Sequence, residues 1–142
     1  MNTTKVEPNH PAEGGCLCGT LRYRVSGNPV AATLCHCADC RRASGGVNVA
    51  WAVFDAASFQ WLGEAASEYS SSPGIYWRFC VSCGSLLGYR RNSRPAHIDI
   101  TTATLDDPNR FPPTVEIWVG EKIEWEALHP DLPKKARSSL NE

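Results

Sequence analysis

Seven cysteines in three short clusters constrain the fold of this 142-residue chain more than any other feature of its sequence. The clusters have the spacings C-x-C, C-x-C-x-x-C and C-x-x-C, and they comprise Cys16 and Cys18; Cys35, Cys37 and Cys40; and Cys80 and Cys83. A closed structural zinc site takes four protein ligands, whereas a catalytic zinc takes three and leaves one position for water or substrate. Seven thiols can fill one site of each kind, so the sequence predicts two zinc ions.

The natural partition joins the two cysteine pairs, Cys16 and Cys18 with Cys80 and Cys83, into the closed site and leaves the triplet for the open one. A glycine directly follows Cys18 and Cys83. Glycine adopts positive φ at low cost, so the backbone can turn there and direct N–H groups at the sulfurs. Because the pairs are far apart in sequence, a metal between them would close a long loop and contribute to folding.

Three alternatives to this partition exist. The thiols could form disulfides, although residues 1–13 lack the apolar segment of a secretory signal. The triplet could be a closed structural site whose fourth ligand is His36 or His10, although His36 is expected to point away from the metal. The pairs Cys37/Cys40 and Cys80/Cys83 could also form a zinc ribbon, which would leave three cysteines without a role.

Composition excludes several function classes. The formal net charge is −1, so there is no basic excess of the kind that binds nucleic acid. No apolar run approaches the length of a membrane span. Reduced thiols are typical of the cytosol, so we expect a cytoplasmic protein without membrane or nucleic-acid partners. The composition does not indicate an oligomeric state.

The sequence predicts a mainly β domain. Residues 21–25 alternate apolar and charged side chains, as in a half-buried strand, and residues 47–54 are apolar enough for a buried strand. Residues 38–44 predict one short helical segment, ended by Gly45 and Gly46. Further strands are expected at 59–62, 66–70, 75–79, 85–90, 96–101 and 115–119, and an apolar run at 30–35 leads into the cysteine triplet. We expect a flexible arm over residues 1–12, a zinc domain over 13–133 and a frayed tail over 134–142.

The triplet has the composition of a reactive zinc site. An external thiol could complete four-sulfur coordination, and zinc would hold it as a thiolate able to attack an aldehyde carbonyl. Arg41 and Arg42 directly follow Cys40. They are therefore candidates to bind an anionic group, such as a carboxylate of glutathione.

The segments GGCLCGTLRYRVSG, CHCADCRRASGG with the downstream Trp51 and Phe54, and FCVSCGSLLGY resemble the glutathione-dependent formaldehyde-activating enzyme (GFA) family. The resemblance covers residues 13–133 and implies the β-tent fold, in which small coiled antiparallel sheets are stapled by zinc. It also implies structural zinc at Cys16, Cys18, Cys80 and Cys83, and catalytic zinc at Cys35, Cys37 and Cys40. The implied activity is that of a carbon–sulfur lyase that joins formaldehyde to glutathione and gives S-(hydroxymethyl)glutathione.

A second class of function stays open, because a cysteine set specifies a fold and metal sites rather than a substrate. The chain could be a non-enzymatic, zinc-stabilised binding module with the same fold. An open metal position beside a pocket would favour the lyase, whereas a fourth protein ligand, or a groove too narrow for a tripeptide, would favour the binding module.

Overall fold

A computed structural model describes residues 10–140. Within that range the chain forms one α-helix, α1 (Ala38–Ser44), and ten β-strands. The strands are β1 (Ala12–Gly15), β2 (Arg22–Val25), β3 (Ala31–Cys35), β4 (Val49–Asp55), β5 (Phe59–Trp61), β6 (Ser67–Ser72), β7 (Ile75–Phe79), β8 (Leu86–Arg91), β9 (His97–Thr101) and β10 (Val115–Ile117). The prediction of a mainly β fold with a short helix at 38–44 is confirmed.

The strands form two sheets. The small sheet has the order β1-β2-β5, and the large sheet has the order β10-β3-β4-β9-β8-β7-β6. All pairs are antiparallel except β10, which runs parallel to β3. No helix among the described residues is long and apolar enough to cross a bilayer.

Side-chain alternation places the small sheet against the core. Tyr23 and Val25 in β2 are fully buried, while Arg22 and Arg24 between and beside them point outward. The two arginines form ion pairs with Asp106 and Glu13, respectively. The alternation at residues 21–25 therefore arises because one face of the strand is buried and the other is exposed, as predicted.

The central strand β4 separates two hydrophobic clusters, because its alternate side chains point to opposite faces of the large sheet. Ala52 and Phe54 pack into the cluster that includes the buried face of the small sheet. Val49 and Trp51 pack with Cys35 and Cys40 on the other face. Burial on both faces explains why this segment is apolar without alternation.

The start of the domain differs from the sequence expectation. Residues 1–9 of the predicted arm lie outside the described residues, but Ala12 and Glu13 already pair with β2 as part of β1. This strand consists of Ala12, Glu13 and two glycines, so its sequence has no strand pattern. The bidentate contact of Arg24 with Glu13 Oε2 helps to hold it in place.

Part of the expected tail pairs with the rest of the domain, over residues 134–137. The backbone of residues 133–137 exchanges hydrogen bonds with that of residues 116–120, and Glu116 and Lys134 form a parallel bridge. The guanidinium of Arg137 also lies over the Trp118 ring, 5.3 Å from its centroid. The tail pairs here because β10 is an edge strand, whose backbone groups need a partner.

Candidate functional site

Four cysteines form one cluster, and they are the two sequence pairs: Cys16, Cys18, Cys80 and Cys83. Their sulfurs lie within 4.8 Å of one another. Cys18 Sγ is 3.6 Å from Cys16 Sγ and 3.9 Å from Cys80 Sγ. A tetrahedral zinc with bonds of about 2.3 Å would hold its sulfurs about 3.8 Å apart, so these separations fit a single zinc ion. All seven cysteines are free, which does not support the disulfide alternative.

Two glycine turns form this cluster. Gly19 and Gly84 each have a φ of 81°, in the left-handed region that favours glycine. The N–H of Gly84 donates to the Cys80 carbonyl at 2.7 Å, and that of Gly19 donates to the Cys16 carbonyl at 3.1 Å. The chain reverses at both turns, which brings the second thiol of each pair back towards the first.

Polar neighbours favour the thiolate form of Cys83 and Cys16 in the four-cysteine cluster. The backbone N–H of Cys83 also favours the thiolate of Cys80, but burial and the contacts with the Cys83 and Cys16 thiols raise the pKa of Cys80 overall. The hydroxyl of Ser85, 3.3 Å from Cys83 Sγ, lowers the pKa of Cys83 to about 5. Burial opposes ionisation of Cys16, but the backbone N–H of Leu21 donates to its sulfur at 3.3 Å and the net effect lowers its pKa. Metal ligation requires deprotonated cysteine, so the surroundings of the cluster suit a cation.

The four-cysteine cluster joins the two sheets. Cys16 and Cys18 lie between β1 and β2 of the small sheet, whereas Cys80 and Cys83 lie between β7 and β8 of the large sheet. Cys18 and Cys80 are 62 residues apart in sequence. A metal bound here would cross-link the two sheets and contribute to the folding free energy.

The other three cysteines, Cys35, Cys37 and Cys40, form a second cluster at the start of α1. Cys35 ends β3, Cys37 caps the helix and Cys40 lies in its first turn. The sulfur of Cys37 accepts a hydrogen bond from the backbone N–H of Cys40 at 3.2 Å, and the sulfurs of Cys40 and Cys35 are 3.4 Å apart. The strand end and the helix cap together bring the three thiols to one point.

This grouping decides between the alternative partitions. Cys37 and Cys40 group with Cys35, and Cys80 and Cys83 group with the other pair, so the zinc-ribbon alternative is wrong. Among the described residues, neither metal-ligand cluster includes His36 or His10. The structure therefore brings together the two groups of thiols that the spacing predicted, with three thiols in the second.

Hydrogen bonds among the three thiols lower the pKa of one and raise the pKa values of the other two. Contacts with Cys35 and Cys40 lower the pKa of Cys37 to about 3. The contact with Cys37 raises the pKa of Cys35 to about 12, and contacts with Cys35 and Cys37 raise the pKa of Cys40 well above its usual range. One thiolate forms readily and suppresses ionisation of its neighbours, so a cation is needed to hold all three as thiolates.

The indole of Trp51 contacts the triplet directly. Trp51, which is buried on β4, donates its Nε1–H to the sulfur of Cys40 at 3.4 Å. Its ring also contacts Trp77 and Tyr89, with centroid distances of 6.1 and 6.0 Å. Trp51 is thus both a buried core residue and part of the cavity wall.

His36 is held away from the triplet by two carboxylates. Its ring is fully buried, with Nε2 2.9 Å from Glu116 Oε1 and Nδ1 3.0 Å from Glu126 Oε2. Burial alone would raise the pKa of Glu116, but hydrogen bonds from His36 and the His129 N–H hold it below its usual range. Because His36 lies between Cys35 and Cys37, these contacts help to fix the backbone that carries both thiols.

The triplet lines a cavity of about 250 Å³ on one face of the large sheet. Trp51, Trp77 and Tyr89 form an aromatic wall, and part of the C-terminal segment, residues 138–140, lines the cavity as well. The four cysteines of the first cluster do not line this cavity. The three-thiol site therefore adjoins space for a small molecule.

The arginines that line this cavity are not those that the sequence suggested. Arg41 and Arg42 do not line it, and Arg42 lines a neighbouring pocket with Asp39 and Trp77. Arg91 and Arg94 line the cavity instead, together with Asp99. Sequence proximity to Cys40 did not predict them, because strand pairing rather than chain order brings β8 and β9 alongside β4.

Comparison with known proteins agrees with this geometry. The family model described as glutathione-dependent formaldehyde-activating enzyme matches residues 11–121. The chain belongs to this family. A Halomonas elongata protein named "Putative glutathione-dependent formaldehyde-activating enzyme" is 29% identical over 123 residues, which cover 80% of this chain and 78% of that protein.

A solved structure shows the same fold. The crystal structure of a Rhodobacter sphaeroides protein superposes with a TM-score of 0.57 at 20% sequence identity. The match covers 86% of this chain and 98% of the other. The resemblance to the GFA family and the mainly β fold are thus confirmed. The seven-stranded sheet and its parallel β10–β3 pair differ from the small antiparallel sheets that were expected.

Proposed function

We propose that this chain is a zinc-dependent carbon–sulfur lyase, which joins a small thiol to an aldehyde and also catalyses the reverse reaction. Its reactive centre is the triplet Cys35, Cys37 and Cys40, and the four-cysteine cluster is a structural zinc site. Glutathione and formaldehyde are the thiol and aldehyde that the family name suggests. Free cysteines throughout the chain support a reducing compartment, and we propose the cytosol.

One observation carries this proposal: the three-thiol cluster lines a small-molecule cavity and the four-thiol cluster does not. Structural zinc sites are closed by four ligands, whereas catalytic sites keep a position for substrate. The lack of a fourth ligand within the described triplet cluster, next to a cavity, supports the lyase over a binding module.

The donor set fits zinc at both clusters. Thiolate is a soft ligand that zinc accepts in four-coordinate sites. Within the triplet the thiolate of Cys37 suppresses ionisation of Cys35, so a cation is needed to hold all three as thiolates. Zinc bound at the triplet would hold an incoming thiol in its thiolate form at neutral pH.

The reaction needs no oxidant or reductant. The thiol sulfur supplies the electron pair of the new carbon–sulfur bond, and the carbon–oxygen π bond of the aldehyde breaks. The resulting alkoxide takes up the proton that the thiol has lost, which gives a hydroxyalkyl thioether. The chain therefore has to bind two small molecules, orient them and limit competing water.

The described residues suit those tasks. The aromatic wall of Trp51, Trp77 and Tyr89 presents an apolar surface that displaces water from the cavity. Trp51 disperses charge on the Cys40 sulfur through its N–H. The contacts of His36 with Glu116 and Glu126 fix the backbone between Cys35 and Cys37.

Metal analysis and cobalt substitution test this function. We expect about two zinc ions per chain in reduced, metal-replete protein. Cobalt in the triplet should show visible bands that shift when 2-mercaptoethanol or glutathione binds, because a fourth sulfur changes the ligand field. Mixing formaldehyde with glutathione should then give S-(hydroxymethyl)glutathione faster with the protein than without it. A single metal per chain, or cobalt bands that no thiol shifts, would refute the proposal.

A further inference from the structure

Residues 138–140, at the end of the described chain, cover part of the cavity beside the cysteine triplet. They contribute to its wall together with Trp118. Residues 133–137 before them are exposed, whereas Ser138 and Leu140 are half-buried. The chain therefore runs along the surface up to residue 137 and then packs against the cavity.

The tail is bound more tightly at its base than at its end. The backbone N–H of Lys135 donates to the Glu116 carbonyl at 2.8 Å, whereas that of Trp118 donates to the Arg137 carbonyl at 3.2 Å. Backbone hydrogen bonds are usually about 2.9–3.0 Å long, so the outer bond is the weaker one. Within the described part of the chain, residues 138–140 make only a local hydrogen bond. A segment with so few bonds opens locally at low free energy while its base stays paired.

Trp118 links the cavity to this tail. Its backbone has a φ of 55° and a ψ of 34°, and it is the one residue other than glycine with a positive φ among the described residues. Such a conformation is costly and persists only where the surroundings fix it. The ring of Trp118 lines the cavity and also lies under the guanidinium of Arg137, the last residue before the half-buried segment. One side chain therefore serves as cavity wall and as anchor for the tail.

The volume of the cavity depends on where residues 138–140 lie, because they are part of its wall. With them in place the cavity holds about 250 Å³. Pockets for ligands of ordinary size hold roughly 300–1,000 Å³, and a tripeptide thiol of about 20 non-hydrogen atoms belongs to that class. A thiol such as 2-mercaptoethanol is several times smaller. The cavity therefore has room for the small thiol and is tight for the tripeptide.

We propose that residues 138–140 form a strap that selects thiols by size. Small thiols reach the triplet with the strap in place, whereas a tripeptide thiol such as glutathione has to displace it. This inference rests on the proposed function, since it concerns which thiols reach the reactive centre. A ligand that binds only the open form loses apparent affinity in proportion to the open fraction. If the strap leaves the cavity in about one molecule in ten, a tripeptide binds about tenfold more weakly than it would to the open cavity.

Two truncations test the strap. Glutathione and 2-mercaptoethanol are titrated into cobalt-substituted protein while the visible bands are followed. A protein that ends at Arg137 lacks the strap, whereas the matched control that ends at Leu140 keeps it. We expect the protein that ends at Arg137 to bind glutathione about tenfold more tightly than the full chain, with unchanged affinity for 2-mercaptoethanol. The control should bind both thiols as the full chain does.

A pair of point variants tests the same strap at full chain length, which covers the case of a truncation that does not fold. Arg137→Gln removes the guanidinium over the Trp118 ring and should loosen the strap. We expect it to raise the affinity for glutathione about two- to fivefold, the value of an exposed cation–π contact. Lys135→Gln is the matched control, because it removes the same charge from an exposed residue of the tail and keeps the backbone bond to Glu116. It should leave both affinities unchanged.

The possible results separate the strap from the lyase proposal. A gain in glutathione affinity that appears on truncation at Arg137 and in Arg137→Gln, but in neither control, supports the strap. Equal glutathione affinity in the full chain and in both of these variants, with 2-mercaptoethanol still shifting the bands, overturns the strap and leaves the lyase proposal standing. The same gain in the protein that ends at Leu140 overturns the assignment to residues 138–140. Cobalt bands that respond to neither thiol in any of these proteins refute the lyase proposal and the strap with it.

Discussion

The hydrogen bond from Trp51 to the Cys40 sulfur is expected to strengthen zinc binding at the triplet. Trp51→Phe removes the Nε1–H donor, which lies 3.4 Å from that sulfur, but keeps an aromatic ring in the wall of the cavity. We expect the variant to fold and to bind zinc at the triplet more weakly than the wild-type protein. The four-cysteine site, which Trp51 does not contact, should be unaffected.

The size of the effect follows from the charge on the acceptor. Hydrogen bonds to charged groups contribute about 1.5–3 kcal/mol, and sulfur is a weak acceptor, so the lower value applies. At 1.4 kcal/mol per decade, this is about a tenfold loss of zinc affinity. Mutations of groups that orient metal ligands typically cost about 10–100-fold in affinity, which agrees with this value.

A competition titration measures this loss. A chromophoric chelator is titrated against zinc-loaded protein, and the affinity of the weaker of the two sites is compared between variants. Trp77→Phe is the control, because it makes the same change in the same cavity but removes an N–H that donates to Ser71 Oγ at 2.9 Å. Equal loss of zinc affinity in the two variants would show that aromatic packing, rather than the N–H to sulfur bond, supports the site.

Two further predictions concern stability and metal content. Cys83→Ser should lower the melting temperature markedly and remove zinc from the site that joins the sheets. Cys40→Ser should stay folded and lose only the triplet metal. Equal unfolding of both variants by circular dichroism would contradict the division of roles between the two sites. Gly14→Ala should destabilise the fold by at least about 1–3 kcal/mol, because its added Cβ would come 2.6 Å from Cζ of Tyr23. Gly120→Ala is the control, since its Cβ would meet only one carbonyl at 3.4 Å, and denaturant melts that do not separate the two variants would show that the Tyr23 contact relaxes freely.

Local patterns in the sequence predicted much of the fold. The alternation at residues 21–25 and the apolar run at 47–54 became strands, because those patterns record burial on one face or on both. Cysteine spacing predicted which thiols group together, since each pair or triplet is held within a single turn. These features depend on residues that are close together in the sequence, so the sequence alone is enough to predict them.

Features that depend on distant pairing could not be predicted in this way. The strand β1 is polar and glycine-containing, and it forms because β2 offers it a partner. The tail pairs with β10 for the same reason. Arg91 and Arg94 reach the cavity because β9 pairs with β4 and β8 pairs with β9. Arg42, close to Cys40 in sequence, lines another pocket.

The two thiol clusters are nested along the chain, and this has a consequence for the order in which they acquire metal. The triplet spans residues 35–40 and lies inside the loop that runs from Cys18 to Cys80. Loop closure costs about (3/2)RT ln n, so closing the 62-residue loop costs about 2 kcal/mol more than closing the triplet. During synthesis the inner cluster is complete some 40 residues before Cys80 appears. A metal at the triplet would therefore be able to bind while the two sheets have yet to be joined.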